Sequence, residues 1–172
     1  MLKRAFSLLE LMVVIGLVAF LLAIAVPYYS DYVNKSKVAL AAIVLNDLNT
    51  KAMALYNEGL VTPGITSITI DGATFIDNVE TSIANAHVND VVFFAPGDGS
   101  VNDNAWAFCA FISDLSFFSD LGGPSNRLCS KVVISNGIFT TYCGSWTQAT
   151  SGVEVPTDYL PDQCNYTEVS SY

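Results

Sequence analysis

Apolar and polar positions along the chain change period twice, and each change marks a different kind of element. Leu11 through Val26 is apolar apart from Gly16, and no charge appears between Leu11 and Ser30. A helix over such a run crosses most of a bilayer at about 1.5 Å per residue. Beyond Pro27 the pattern turns amphipathic: Val38, Ala41, Leu45, Leu48, Ala52 and Leu55 follow a 3-4-3-4-3 spacing that lays one apolar stripe along a helix. The other face is polar, with Asp31 before Lys35 and Asp47 before Lys51 as acid-before-base pairs one turn apart. Gly59 and Pro63 end the run. If Pro27 only bends the chain, one helix from about residue 6 to residue 57 is about 80 Å long, more than a globule of this size can bury.

After Gly59 the period shortens to that of strands. The runs Ile65 to Ile70, Val91 to Phe94, Ala105 to Ile112 and Lys131 to Tyr142 are the main candidates, separated by turn residues. Asn136-Gly137 predicts a tight hairpin turn inside the last run, because both residues tolerate positive φ. The expected class is α+β: a long N-terminal helix whose stripe packs on one face of a small antiparallel sheet. One globular head is the expected domain content of 172 residues.

Composition sharpens this picture. The chain is 52% hydrophobic and 13% charged, with the excess largely in residues 5–29. Sixteen acidic residues stand against seven basic ones, giving a net charge of -9, and Lys3 and Arg4 lie at the extreme N-terminus. Basic residues before an apolar span keep the short N-terminus on the cytoplasmic side, so the head is expected outside the cytoplasm. So acidic a chain, without a basic run, is a poor partner for nucleic acid phosphates. Cys109, Cys129, Cys143 and Cys164 form no C-x-x-C pair, which leaves zinc and dithiol redox chemistry without a usable spacing. Three disulfide pairings are open. Cys109 with Cys129 and Cys143 with Cys164 is favoured because each closes a loop of about 20 residues, which fits an oxidising compartment.

Glu10 stands near the start of the apolar run, where an unpaired carboxylate costs several kcal/mol in lipid and therefore points to function. The segment Phe6-Ser7-Leu8-Leu9-Glu10-Leu11-Met12-Val13-Val14-Ile15 follows the leader Met1-Leu2-Lys3-Arg4-Ala5. Together they resemble the processing site of type IV prepilins, and Pro27, Tyr28, Asp31 and Tyr32 continue the likeness. The resemblance implies residues 1–5 as a leader, 6–30 as a membrane and filament-core helix, 31–58 as its amphipathic continuation and 59–172 as the head. It further implies that a prepilin peptidase cuts between Ala5 and Phe6 and methylates the Phe6 amine. Glu10 would then attract the Phe6 ammonium of an adjacent subunit as a helical homo-oligomeric filament assembles. Implied partners are the inner membrane before assembly, an assembly platform and a cytoplasmic ATPase; the implied destination is the extracellular pilus. Cys143 and Cys164 resemble the disulfide-bounded loop of pilin heads. The chain departs from the family in having Ala5 where glycine usually precedes the cut, and Ala19 at a common glycine position. Gly16 and Pro27 are then the natural places for the helix to loosen or kink.

Other readings use the same residues. A pseudopilin of a type II secretion system is the alternative within the superfamily. A secretory signal peptide ending at Ala23-Ile24-Ala25, followed by a soluble binding module, is disfavoured by Glu10 and by the helical pattern that continues past Pro27. A single-pass anchored protein would keep Met1 and form no polymer. Catalysis finds little support: His87 is the single histidine and stands in no hydrolase, Walker or zincin motif. No cofactor or metal site is expected. The stretch Asp98 to Asn104 resembles the opening of a calcium loop without its glycine and closing glutamate, so a plain turn is favoured. Asn34-Lys35-Ser36 and Asn165-Tyr166-Thr167 match glycosylation acceptors at the level of chance. The mature chain is expected to begin at N-methylated Phe6, in sheared filaments and in the membrane fraction alike. Intact mass and N-terminal sequencing check this, and a chain beginning at Val26 free in the medium would identify a signal peptide instead.

Overall fold

The computed structural model describes residues 7–77, 79–83, 88–96, 104–112, 127–145, 155 and 157–164. Its first element is α1, Leu8–Asn57, a single helix of 50 residues and therefore about 75 Å long. Ser7 precedes it in an extended conformation and its carbonyl accepts the Leu11 amide at 3.2 Å. Pro27 lies inside α1 without ending it. Where the apolar stripe ends, Gly59 takes φ +76°, and the amides of Gly59 and Leu60 reach back to the carbonyls of Tyr56 and Leu55 at 2.9 Å each. This paired closure satisfies carbonyls that the last turn would otherwise leave open, and glycine is the residue that adopts its left-handed position without strain.

Seven strands follow. β1 (Ser67–Ile70) and β2 (Ala73–Ile76) form a two-stranded hairpin. β3 (Glu80–Ser82), β4 (Val88–Phe94), β5 (Ala105–Ile112), β6 (Arg127–Ser135) and β7 (Ile138–Ser145) form one antiparallel sheet in sequence order. The Asn136-Gly137 turn has φ +53° and +76°, the primed geometry that matches strand twist, and it joins β6 to β7 in the register Ser135 to Ile138. Asp71-Gly72, with φ +50° and +80°, performs the same task between β1 and β2. That second Asp-Gly hairpin is absent from the expectation above, as is β3. Both β2 and β3 are only four and three residues long, too short for alternation to stand out. β4 and β6 begin upstream of the expected strands, at Val88 and Arg127.

α1 lies across β5 and β6. Val38, Ala41, Leu45, Leu48 and Ala52 are buried, and Leu55 is packed against them, so the stripe faces the sheet. β5 alternates: Trp106, Phe108, Ala110 and Ile112 join the core under α1, while Ala105, Ala107 and Cys109 join a second cluster on the other face. A strand buried on both faces reads as continuous apolar sequence, which explains the run from Ala105 to Ile112. Phe108 is the hub of the rings, with Phe93 at 5.0 Å and Phe75 at 5.6 Å between centroids.

A buried polar side chain links the helix to two strands of this core. Asn49 is fully buried, donates from Nδ2 to Ser130 Oγ at 2.7 Å and accepts the Trp106 indole N–H on Oδ1 at 3.2 Å. It joins α1 to β5 and β6 at a single point along the helix, and so fixes helix register against the sheet in a way apolar packing does not. At the rim, Lys51 pairs with Asp47 at 2.6 Å and also with Asp71, tying α1 to the β1–β2 turn. The hydrogen bonds that Lys51 donates to these two carboxylates raise its pKa, but the group is exposed and adds little stability.

Two substitutions test this packing. Asn49→Ala leaves the Trp106 indole N–H without its acceptor and Ser130 Oγ without its donor in the core, and is expected to lower stability by about 1–3 kcal/mol. Leu45→Ala is expected to cost about 2–5 kcal/mol. Urea unfolding of the full chain in detergent, followed by tryptophan fluorescence, measures both; exposed Asn46→Ala should leave the midpoint in place.

Candidate functional site

From Leu8 to Tyr29 every position of α1 is exposed, because the helix begins to be covered only at Ser30. The large apolar side chains Leu8, Leu9, Leu11 to Ile15, Leu17, Val18, Phe20 to Leu22, Ile24 and Val26 are each roughly half exposed or more. At about 1 kcal/mol or more left ungained per side chain, their exposure would offset a typical domain's entire stability. This half of the helix therefore needs a cover that the head does not supply. α1 is long and apolar enough to cross a membrane.

Glu10 occupies the first turn of α1 and is exposed. The positive end of the helix dipole favours a carboxylate there by up to about 1 kcal/mol, which is small beside the cost of taking it into lipid unpaired. Pro27 brings no amide hydrogen, so the Ala23 carbonyl loses its partner one turn later. A Cβ added at Gly16 would meet nothing within 4 Å, so nothing inside this subunit requires glycine at that position. Ala5, Phe6, His87, residues 98–103 and the Asn165-Tyr166-Thr167 acceptor lie outside the described residues. In the other acceptor, Asn34 is a buried helical residue that already has an interaction partner, a poor setting for a glycan.

The disulfides join Cys109 to Cys129 and Cys143 to Cys164. The first links directly opposed residues of β5 and β6, both fully buried on the sheet face away from α1. The second ties β7 to a short turn at Asp162–Cys164, and the Cys164 amide closes that turn on the Pro161 carbonyl at 2.7 Å. Residues 157–164 thereby form a strap beside α1 where the helix leaves the head. Tyr159 donates its hydroxyl to Asp31 Oδ1 at 2.9 Å, and Lys35 Nζ lies 5.7 Å from the same ring. Asp31 and Lys35, expected to pair along the helix, are thus organised around a residue 128 positions from Asp31. Asp31 raises the Tyr159 pKa, first through this hydrogen bond and then by its charge.

No family model matches the sequence, and no solved structure matches it. Fimbrial proteins of several bacteria do. The fimbrial protein EcpC of Eikenella corrodens is 26% identical over 162 residues, covering 94% of this chain and 90% of the relative. A fimbrial protein of Neisseria meningitidis is 28% identical over 172 residues, covering 95% and 94%. A fimbrial protein of Pseudomonas aeruginosa is 37% identical over 57 residues, a third of this chain. Near-full coverage joins the exposed helix and the head in one comparison. The chain is similar to fimbrial proteins along nearly its whole length, and its fold is that of type IV pilins. As in the pilin fold, one long N-terminal helix packs its second half on an antiparallel sheet.

Sequence reading missed Asn49 and Tyr159. Asn49 did leave a signal: it interrupts the buried face between Leu48 and Ala52, and a polar residue there requires partners. Tyr159 left none, because its partners come from the far end of the chain.

Replacing Cys143 and Cys164 together with serine is expected to lower stability by about 3 kcal/mol and to expose the strap to proteolysis before the sheet. The pH dependence has a definite sign. A tyrosine with a raised folded pKa contributes stability that is complete below its ordinary value of about 10 and is lost as pH rises through the folded value. Between pH 9 and 12, the wild-type chain should therefore lose more stability than Tyr159→Phe, read as the difference between their urea midpoints.

Proposed function

We propose that this chain is the structural subunit of a type IV pilus, stored with the first half of α1 in the cytoplasmic membrane and then drawn into the core of a surface filament. The observation that carries the reading is the uncovered apolar half of α1 joined without a break to a folded, disulfide-stapled head. A chain that only needed an anchor would have no use for a second cover. A filament subunit exchanges lipid for like helices, so the same apolar surface serves both states at nearly equal free energy.

Processing between Ala5 and Phe6 by a prepilin peptidase would leave a new amine one turn before Glu10. N-methylation keeps that amine cationic. In an apolar filament core the carboxylate gains most from an ammonium on the neighbouring subunit, which sets the axial register of one chain against the next. Gly16, which nothing inside the subunit requires, and Pro27, which removes one helical hydrogen bond, would let α1 loosen as it leaves lipid. The work of extraction would come from a cytoplasmic ATPase acting through a membrane platform. The role is structural, and no catalytic step is assigned to the subunit. Relatives bearing fimbrial names favour a pilus over a secretion pseudopilus.

Glu10→Ala separates storage from assembly. The variant is expected to reach the membrane at wild-type abundance and yield no sheared filaments, with immunoblots of the two fractions as the readout. Filaments at wild-type abundance would remove Glu10 from the mechanism.

A further inference from the structure

The uncovered half of α1 does not pass straight from apolar side chains to the head. Between Val26 and the first buried residue, Asn34, stand Tyr28, Tyr29 and Tyr32, which are 74%, 71% and 72% exposed. At 100° per residue the three rings fall within one arc of about 100°, opposite the face on which Asn34, Val38, Ala41 and Leu45 meet the sheet. They therefore take no part in packing the head. Along the axis, Tyr28 lies 18 residues after Glu10, which is about 27 Å, close to the roughly 30 Å of a hydrocarbon core. The only acidic residue of the apolar half and its first tyrosines thus sit one bilayer thickness apart.

Charge supports the same placement. Beyond residue 38 the chain holds fourteen acidic residues against three basic ones and is repelled by an anionic surface. Just above Tyr32, however, come Lys35 and Lys37, two of the five basic residues that follow Arg4. Lys35 is exposed, with its ammonium beside Tyr159 at the lower edge of the head. A phenol at this level meets acyl chains with its ring and water or headgroup oxygens with its hydroxyl, whereas leucine or phenylalanine would serve only the first contact.

We infer that Tyr28, Tyr29 and Tyr32, with Lys35 above them, form a one-sided collar that binds the lipid headgroup layer on the head side of the membrane and sets the depth of the stored subunit. The inference rests on the reading that α1 is stored in a bilayer. Because the rings lie opposite the head, they brace the helix on the side where the head gives no support. With that depth set, Glu10 is held at the other interface, within reach of water until a neighbouring amine arrives.

The test uses the full chain carrying Tyr29→Trp, reconstituted into phosphatidylethanolamine and phosphatidylglycerol vesicles whose acyl chains are brominated either near the headgroup or near the chain end. The wild-type chain, with its own tryptophans, supplies the background. Quenching above background is expected to be at least about twofold stronger with shallow than with deep bromines, as interfacial placement requires. Adding Tyr28→Leu and Tyr32→Leu should bring that ratio toward one as the helix slides deeper. Deep quenching as strong as shallow, or no excess quenching in chains that float with the vesicles, would overturn the collar and leave membrane storage standing. A chain that does not float with vesicles at all would overturn storage itself, and the collar with it.

Discussion

A helix about 75 Å long and a head of roughly 110 residues cannot be matched by packing alone. The sheet offers one face of a few strands, and α1 uses it from Asn34 to Ala52. Everything N-terminal to that contact is surplus to the subunit's own core. From this mismatch follow the uncovered apolar surface, its need for a cover from outside the subunit and the division of the chain into an uncovered helix and a folded head.

The folded part is held by contacts that do not involve the uncovered half of α1. Apolar burial under α1 supplies most of the free energy, but it would tolerate sliding by a turn at modest cost. Asn49 does not tolerate it, since a shift would leave its amide, the Trp106 indole and the Ser130 hydroxyl desolvated without partners. The two disulfides act elsewhere. Cys109–Cys129 staples neighbouring strands on the face away from the helix, and Cys143–Cys164 holds the strap that meets α1 through Tyr159. Register, sheet and exit point of the helix are thus held by three separate devices.

The features read best from sequence were those with a local physical cause. The 3-4-3-4-3 stripe became the buried face of α1 because helical geometry repeats within a few residues, and Gly59 ended the helix because its φ suits the closing turn. Asn136-Gly137 became a hairpin for the same kind of reason. Asp71-Gly72 carried an equal signal but was flanked by strands too short to frame it. The amphipathic pair Asp31 and Lys35 illustrates the limit: spacing put them in reach of each other, and a distant tyrosine reorganised both.

Sequence alone determined that this chain has a long helix, an apolar first half with a lone carboxylate, and a β-rich, cysteine-bearing remainder, because period, charge and turn chemistry act over a handful of residues. Only the tertiary structure decided which polar groups enter the core and where the helix leaves the head. Asn49 finds Ser130 across 81 residues, and Asp31 finds Tyr159 across 128. Such pairings exist only once the sheet has folded against α1 and excluded water, and no local pattern encodes them.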